Sequence, residues 1–155
     1  MIEFDIEERR NRAVDYFKEG YNCAQSVTMA YCDLFGLDIE MAKKLSAPFG
    51  GGMGRLREMC GAASGMFLLV GLKYPVTDPE DKASKHENYA AVQRTAKAFK
   101  DHFGSYICAD LLQLKRAPQD PSPSDRNAEY YLKRPCARCV AVAAEVIGRE
   151  LLQKP

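Results

Sequence analysis

The sequence predicts an all-α fold, a single domain of about six helices around one core. Three observations lead there. Apolar residues recur at helical spacing through most of the 155 residues, capping residues and glycine or proline punctuate those segments, and no stretch alternates as a half-buried strand would.

Residues 5–19 place Ile6, Ala13, Val14 and Phe17 at helical spacing, and Gly20 stops that helix. Asn22 is a good cap for a second helix, which carries Cys23, Val27, Ala30 and Leu34 before Gly36 ends it. Asp38 opens a shorter helix with Ile39, Ala42 and Leu45, closed at Pro48. The run Gly50-Gly51-Gly52-Met53-Gly54 is a loop. From Arg57 to about Tyr74 a largely buried helix is expected, because Met66-Phe67-Leu68-Leu69-Val70 is apolar all round. Asp78, Pro79 and Glu80 then predict the start of the longest helix, running to about Phe103 with Tyr89, Val92, Ala96, Phe99 and Phe103 as its buried stripe. Gly104 stops it, and Ser105 caps a short helix through Leu114. Pro118, Pro121 and Pro123 make 115–128 a surface loop, and a last helix runs from near Pro135 to near Leu152.

Charge narrows the functional classes. With 22 Lys+Arg against 21 Asp+Glu the net charge is +1, so no whole-molecule field gathers a nucleic-acid backbone or an anionic membrane. Neither partner is expected. The longest apolar stretch, Gly65 to Leu72, is too short to span a bilayer, and the first ten residues lack the basic and apolar regions of a secretory signal. The expectation is a cytoplasmic protein without membrane insertion.

Six cysteines, at 23, 32, 60, 108, 136 and 139, are about 4% of the chain, below the roughly 8–10% of disulfide-built secreted scaffolds. In a reducing compartment such cysteines are packing residues, metal ligands or redox-active thiols. Cys23 follows the Asn22 cap, Cys108 lies three residues after Ser105, and Cys136 follows Pro135, so each falls in a first helical turn. Unpaired N–H groups and the partial positive charge there favour a thiolate, the form that acts as nucleophile and as metal ligand. Cys60, after a glycine loop flanked by Arg55 and Arg57, shares the advantage. Cys32 lies nine residues past Cys23, on the opposite helical face and toward the C-terminal end, and reads as a packing residue.

Lys133-Arg134-Pro135-Cys136-Ala137-Arg138-Cys139 is a CxxC opening a helix among cations, an electropositive setting for a reactive thiol. It has neither the βαβ surroundings of a thioredoxin motif nor the histidine of a haem-attachment motif, since Val140 follows Cys139. Cys139 is either part of the site or a local addition. In Cys60-Gly61-Ala62-Ala63-Ser64-Gly65, the glycines at 61 and 65 permit close approach either by another helix or by a group bound at the cysteine sulfur. On the second alternative Gly61 and Gly65 are cofactor-binding residues.

Asn22-Cys23-Ala24-Gln25, Phe49 to Gly54, Cys60 to Gly65 followed by Val70-Gly71-Leu72-Lys73-Tyr74, then Cys108 and Cys136, resemble in order and spacing the C_GCAxxG_C_C family, whose members are described as redox-active from four characteristic cysteines. The resemblance spans about Tyr21 to Leu151. It implies that the four are Cys23, Cys60, Cys108 and Cys136, with Cys32 and Cys139 outside the pattern. It also implies a link to transporter genes and, through related sequence in a split-Soret multihaem cytochrome, an opening to electron transfer.

Three readings remain open. In the first, Cys23, Cys60, Cys108, Cys136 and Cys139 carry out thiol–disulfide exchange with a redox partner protein or a small thiol, as a thiol-dependent oxidoreductase. In the second, Cys23, Cys60, Cys108 and Cys136 hold an iron–sulfur cluster, zinc being disfavoured because the ligands come singly from distant helices. In the third the chain is a helical binding module whose cysteines only pack. The glycine loop lacks the Lys-Ser/Thr of a phosphate-binding loop and no strand precedes it, so nucleotide binding is not expected. His86 and His102 do not share a helical face and read as surface residues; Tyr130 and Tyr131 are placed to cover the site; buried glycine-rich helices allow a homodimer.

Overall fold

A computed structural model describes residues 3–153. Among them the chain is all-α, with no helix long and apolar enough to cross a membrane. The helices are α1 (Ile6–Lys18), α2 (Cys23–Tyr31), α3 (Ile39–Ser46), α4 (Gly61–Lys73), α5 (Lys82–Phe103), α6 (Cys108–Leu112), α7 (Ala128–Lys133) and α8 (Cys136–Leu152).

The capping chemistry places most of the starts. Asp5 accepts from the N–H groups of Glu7 and Glu8, and Asn22 and Gln25 form a reciprocal capping box that fixes the first turn of α2, where Cys23 sits. Asp38 caps α3. Three starts differ from the sequence reading. The buried helix begins at Gly61 rather than Arg57, with Cys60 as its cap residue, because the backbone from Gly51 to Arg57 repeatedly enters left-handed conformations that no helix tolerates. The long helix begins at Lys82 with Asp81 as cap, since the Asp78 carboxylate closes a local turn on the N–H of Glu80 instead. Ser105 likewise turns on Ile107 N–H, so Ile107 becomes the cap, Cys108 is the first residue of α6, and that helix stops at Leu112.

Helix α8 lies at the centre, packed against α1, α2, α4 and α5, and α4 also crosses α2. Phe17, Val27, Tyr31, Met66, Leu69, Val70, Phe99, Val140, Ile147 and Leu151 fill one continuous core. Small residues let the axes approach: Gly148 leaves room for Tyr31, whose hydroxyl donates to the Ala144 carbonyl at 2.7 Å. The buried stripe of α5 is Ala91, Thr95 and Phe99; Val92, Ala96 and Phe103 border it, and Tyr89 is 62% exposed, on the far side of the helix from Ala91. Two buried charges are matched: Arg9 grips Asp33, and Glu150 holds Arg94 while accepting from Tyr74.

Two further features position the site. Residues 58–60 and 106–108 run antiparallel, joined by Cys60 N–H to Tyr106 O at 2.7 Å and Cys108 N–H to Glu58 O at 2.6 Å, which sets the starts of α4 and α6 side by side. The proline-rich segment read as a surface loop folds back over the same region, and it ends in the unforeseen helix α7, capped by Asn127.

Candidate functional site

Five of the six cysteines line one cavity of about 400 Å³. Cys23, Cys108 and Cys136 each open a helix, Cys60 caps α4, and Cys139 stands one turn into α8. The α2–α4 crossing brings the first two together. A side chain at Gly61 would stand 3.3 Å from the Cys23 Cβ and 2.9 Å from the Phe49 carbonyl oxygen; one at Gly65 would stand 2.9 Å from the Ala24 carbonyl oxygen. Gly61 lines the cavity, whereas Gly65 is set into the helix crossing.

The strongest influence on each of four thiols comes from a cysteine of another helix, Cys23 and Cys136 acting on each other and Cys60 and Cys139 likewise, with weaker charge interactions linking all five cavity thiols. Cys23 and Cys136 are half-buried; Cys60, Cys108 and Cys139 are buried, and all six cysteines are free thiols. The CxxC cysteines therefore turn to partners on different helices. Cys139, which the sequence left as either part of the site or a local addition, lines the cavity.

The pairs are polarised. The Cys23 thiol beside it, aided by Arg134, Arg126 and Arg57, outweighs burial and holds Cys136 down at about 7. Cys23 is pushed well up, first by that same partner and then by burial, and stays protonated. Within the inner pair Cys139 favours the Cys60 thiolate, assisted by the N–H groups of Ala63 and Ala62, and is itself raised by that partner. Cys108 is raised by burial, although Arg57 Nη1 donates to its sulfur at 3.4 Å. A helix start thus does not make every one of these thiols acidic: burial prevails at Cys108, and each pair divides into one proton donor and one acceptor.

Four arginines reach the cavity: Arg55, Arg57, Arg126 and Arg134. Gln119 and Ser124 from the proline-rich segment hold three of them, Gln119 accepting from Arg57 and Arg55, Ser124 from Arg55 and Arg134. Tyr130 lines the cavity between the guanidiniums of Arg126 and Arg134, at 4.8 and 4.6 Å from its ring centroid; Tyr131 packs on Phe17. Arg126 was not legible as a site residue. Lys133 and Arg138, expected beside sulfur, are exposed, the first paired with Glu129 and the second lying over Phe103. His86 and His102 are exposed.

Cys32 belongs elsewhere. It follows α2 in a short 3-10 turn and packs with Met29 and Ala42 in a separate small cluster. Cys32→Ala should cost about 1 kcal/mol in urea unfolding, the loss of one small buried side chain, and leave the number of rapidly exchanging thiols unchanged.

Among the described residues no group of three or more His, Cys, Asp or Glu is arranged to hold a metal ion. Cys23, Cys60, Cys108 and Cys136 line the same cavity, where Cys108 also accepts from Arg57 Nη1.

No match is found among curated proteins or among solved structures. A family model described as "Putative redox-active protein (C_GCAxxG_C_C)" matches residues 21–149, a span that contains every cavity cysteine. The chain belongs to that family.

Proposed function

We propose that the protein is a thiol–disulfide oxidoreductase in which Cys136 attacks a disulfide in the cavity and Cys23 resolves the product. The observation that carries this reading is the half-buried Cys23–Cys136 pair, one thiol poised as thiolate and its partner protonated, at the cavity wall.

The Cys136 thiolate displaces one sulfur of the incoming disulfide, forming a mixed disulfide and releasing a thiolate. Cys23 gives its proton to that leaving sulfur and attacks Cys136, which expels the second substrate thiolate and leaves a Cys23–Cys136 disulfide. Two electrons have passed to the substrate, which leaves as two thiols after taking one more proton from water. Behind this pair, the Cys60 thiolate attacks the outer disulfide and Cys139 completes the exchange, losing its proton, so that the outer thiols are restored and the inner pair is oxidised. The buried dithiol is a second two-electron store.

The test is the pH profile of alkylation of reduced protein by iodoacetamide, with the modified residue identified by mass spectrometry. Cys136 should be the fastest site, with a half-maximal rate near pH 7 and a roughly tenfold fall per pH unit below it, as the thiolate is titrated away. A midpoint at the ordinary thiol value of about 8.5, or fastest labelling elsewhere, contradicts the reading.

A further inference from the structure

We propose that the cavity is a binding site for a small anion and that the disulfide it processes carries carboxylate groups. The inference takes the proposed thiol exchange as its starting point and names the class of substrate.

Arg57 carries the argument. It is only 2% exposed, yet none of its nitrogens meets a carboxylate: Nε donates to the neutral Gln119 amide at 2.9 Å, Nη1 to the Cys108 sulfur, and Nη2 is buried with no hydrogen-bond partner. A buried guanidinium without a counter-charge is strongly disfavoured unless something else supplies the charge. The surroundings do not. Arg55 donates only to a carbonyl, a hydroxyl and an amide, Arg126 to the carbonyls of Phe17 and Tyr21, and Arg134 to Ser124. No Asp or Glu lines the cavity among the described residues. The Cys136 and Cys60 thiolates and the exposed Asp120 carboxylate near Arg55 offset part of the charge of the four cations, but Arg57 Nη2 stays without a partner.

The backbone supports the same conclusion. Arg55 and Arg57 both adopt left-handed conformations, φ 67° and 61°, as does Met53 between the glycines and Arg55. Each such non-glycine residue is strained, and the strain is retained where it presents these two side chains to one cavity. Gly52, at φ +67°, lets this segment close over the site, since a side chain there would lie 2.6 Å from the Cys108 Cβ. Guanidiniums recognise carboxylates by paired, charge-assisted hydrogen bonds, and the volume, about 400 Å³, suits a molecule of two short arms joined through sulfur.

Two experiments separate this inference from the exchange reading. Binding of 3,3′-thiodipropionate, a dicarboxylate thioether that cannot exchange, is measured by calorimetry against its neutral diamide. The dicarboxylate should bind about tenfold more tightly, an advantage removed in both Arg57→Gln and Arg134→Gln. The second variant, at a half-buried position, keeps the test valid if the first does not fold. Equal binding of diacid and diamide, binding of neither, or a preference unchanged in Arg134→Gln overturns the inference. Oxidation of reduced protein is then timed with 3,3′-dithiodipropionate, 2-hydroxyethyl disulfide and cystamine, and rates should fall in that order and converge at 1 M salt. Equal rates contradict the anion site and leave thiol exchange standing. Tight dicarboxylate binding with no reaction of any disulfide supports the anion site and removes the exchange reading.

Discussion

Reduced Cys136→Ser protein, offered a small disulfide, should form no disulfide between helices α2 and α8, and its first exchange step should slow about tenfold. The tenfold figure balances two effects. A thiol near pH 7 in pKa is about half ionised at neutral pH and one near 9 about 1% ionised, but the more basic thiolate is the better nucleophile by several-fold. Cys23→Ser should behave differently. The attacking sulfur remains, no resolving thiol follows, and the mixed disulfide on Cys136 should accumulate to one equivalent, visible by intact-mass spectrometry. If both variants instead trap the same adduct on Cys60 or Cys108, the assignment of attack to Cys136 is wrong.

The second large effect concerns the crossing that creates the site. Gly65→Val should destabilise the protein by about 3 kcal/mol, because the new side chain meets backbone at Ala24 and the Val27 Cβ at 3.0 Å, neither free to move without parting α2 from α4. Gly71→Ala, six residues further along the same helix with nothing within 4 Å, should stabilise by about 1 kcal/mol through helix propensity alone. Urea unfolding of the two variants compares packing with propensity on one helix. If Gly65→Val matches Gly71→Ala, the close approach is not what holds Cys60 beside Cys23.

Much of this was legible in the sequence. Asn22, Asp38 and Gly104 mark boundaries that local chemistry decides, and the apolar periodicity gave an all-α chain. The misplacements have a common origin in competing local bonds: Asp78 and Ser105 satisfy a turn rather than a helix end. Tyr89 falls outside the buried stripe because α5 packs through Ala91, Thr95 and Phe99, and the small and polar members of that set leave little trace in the aromatic periodicity. Helix α7 is six residues long and follows a proline-rich stretch, so only Asn127 announced it. At the site, the cysteines on helix starts were visible as positions, but their partners were not. Which sulfur faces which depends on the α2–α4 crossing and on the rotation of α8, both long-range. The buried, uncompensated Arg57 was hidden for the same reason: it appears in sequence only as one of two cations after a glycine loop, and its burial follows from the fold of residues 115–127 over it.

The central claim is that the thiols work as two cross-helix pairs, and disulfide mapping of the oxidised protein tests it most directly. Protein oxidised stepwise with a small disulfide, alkylated and digested should yield Cys23–Cys136 and Cys60–Cys139 linkages, four thiols lost in all, with Cys32 and Cys108 alkylated throughout. A Cys136–Cys139 linkage within the CxxC, or six thiols still free after exposure to excess disulfide, contradicts it.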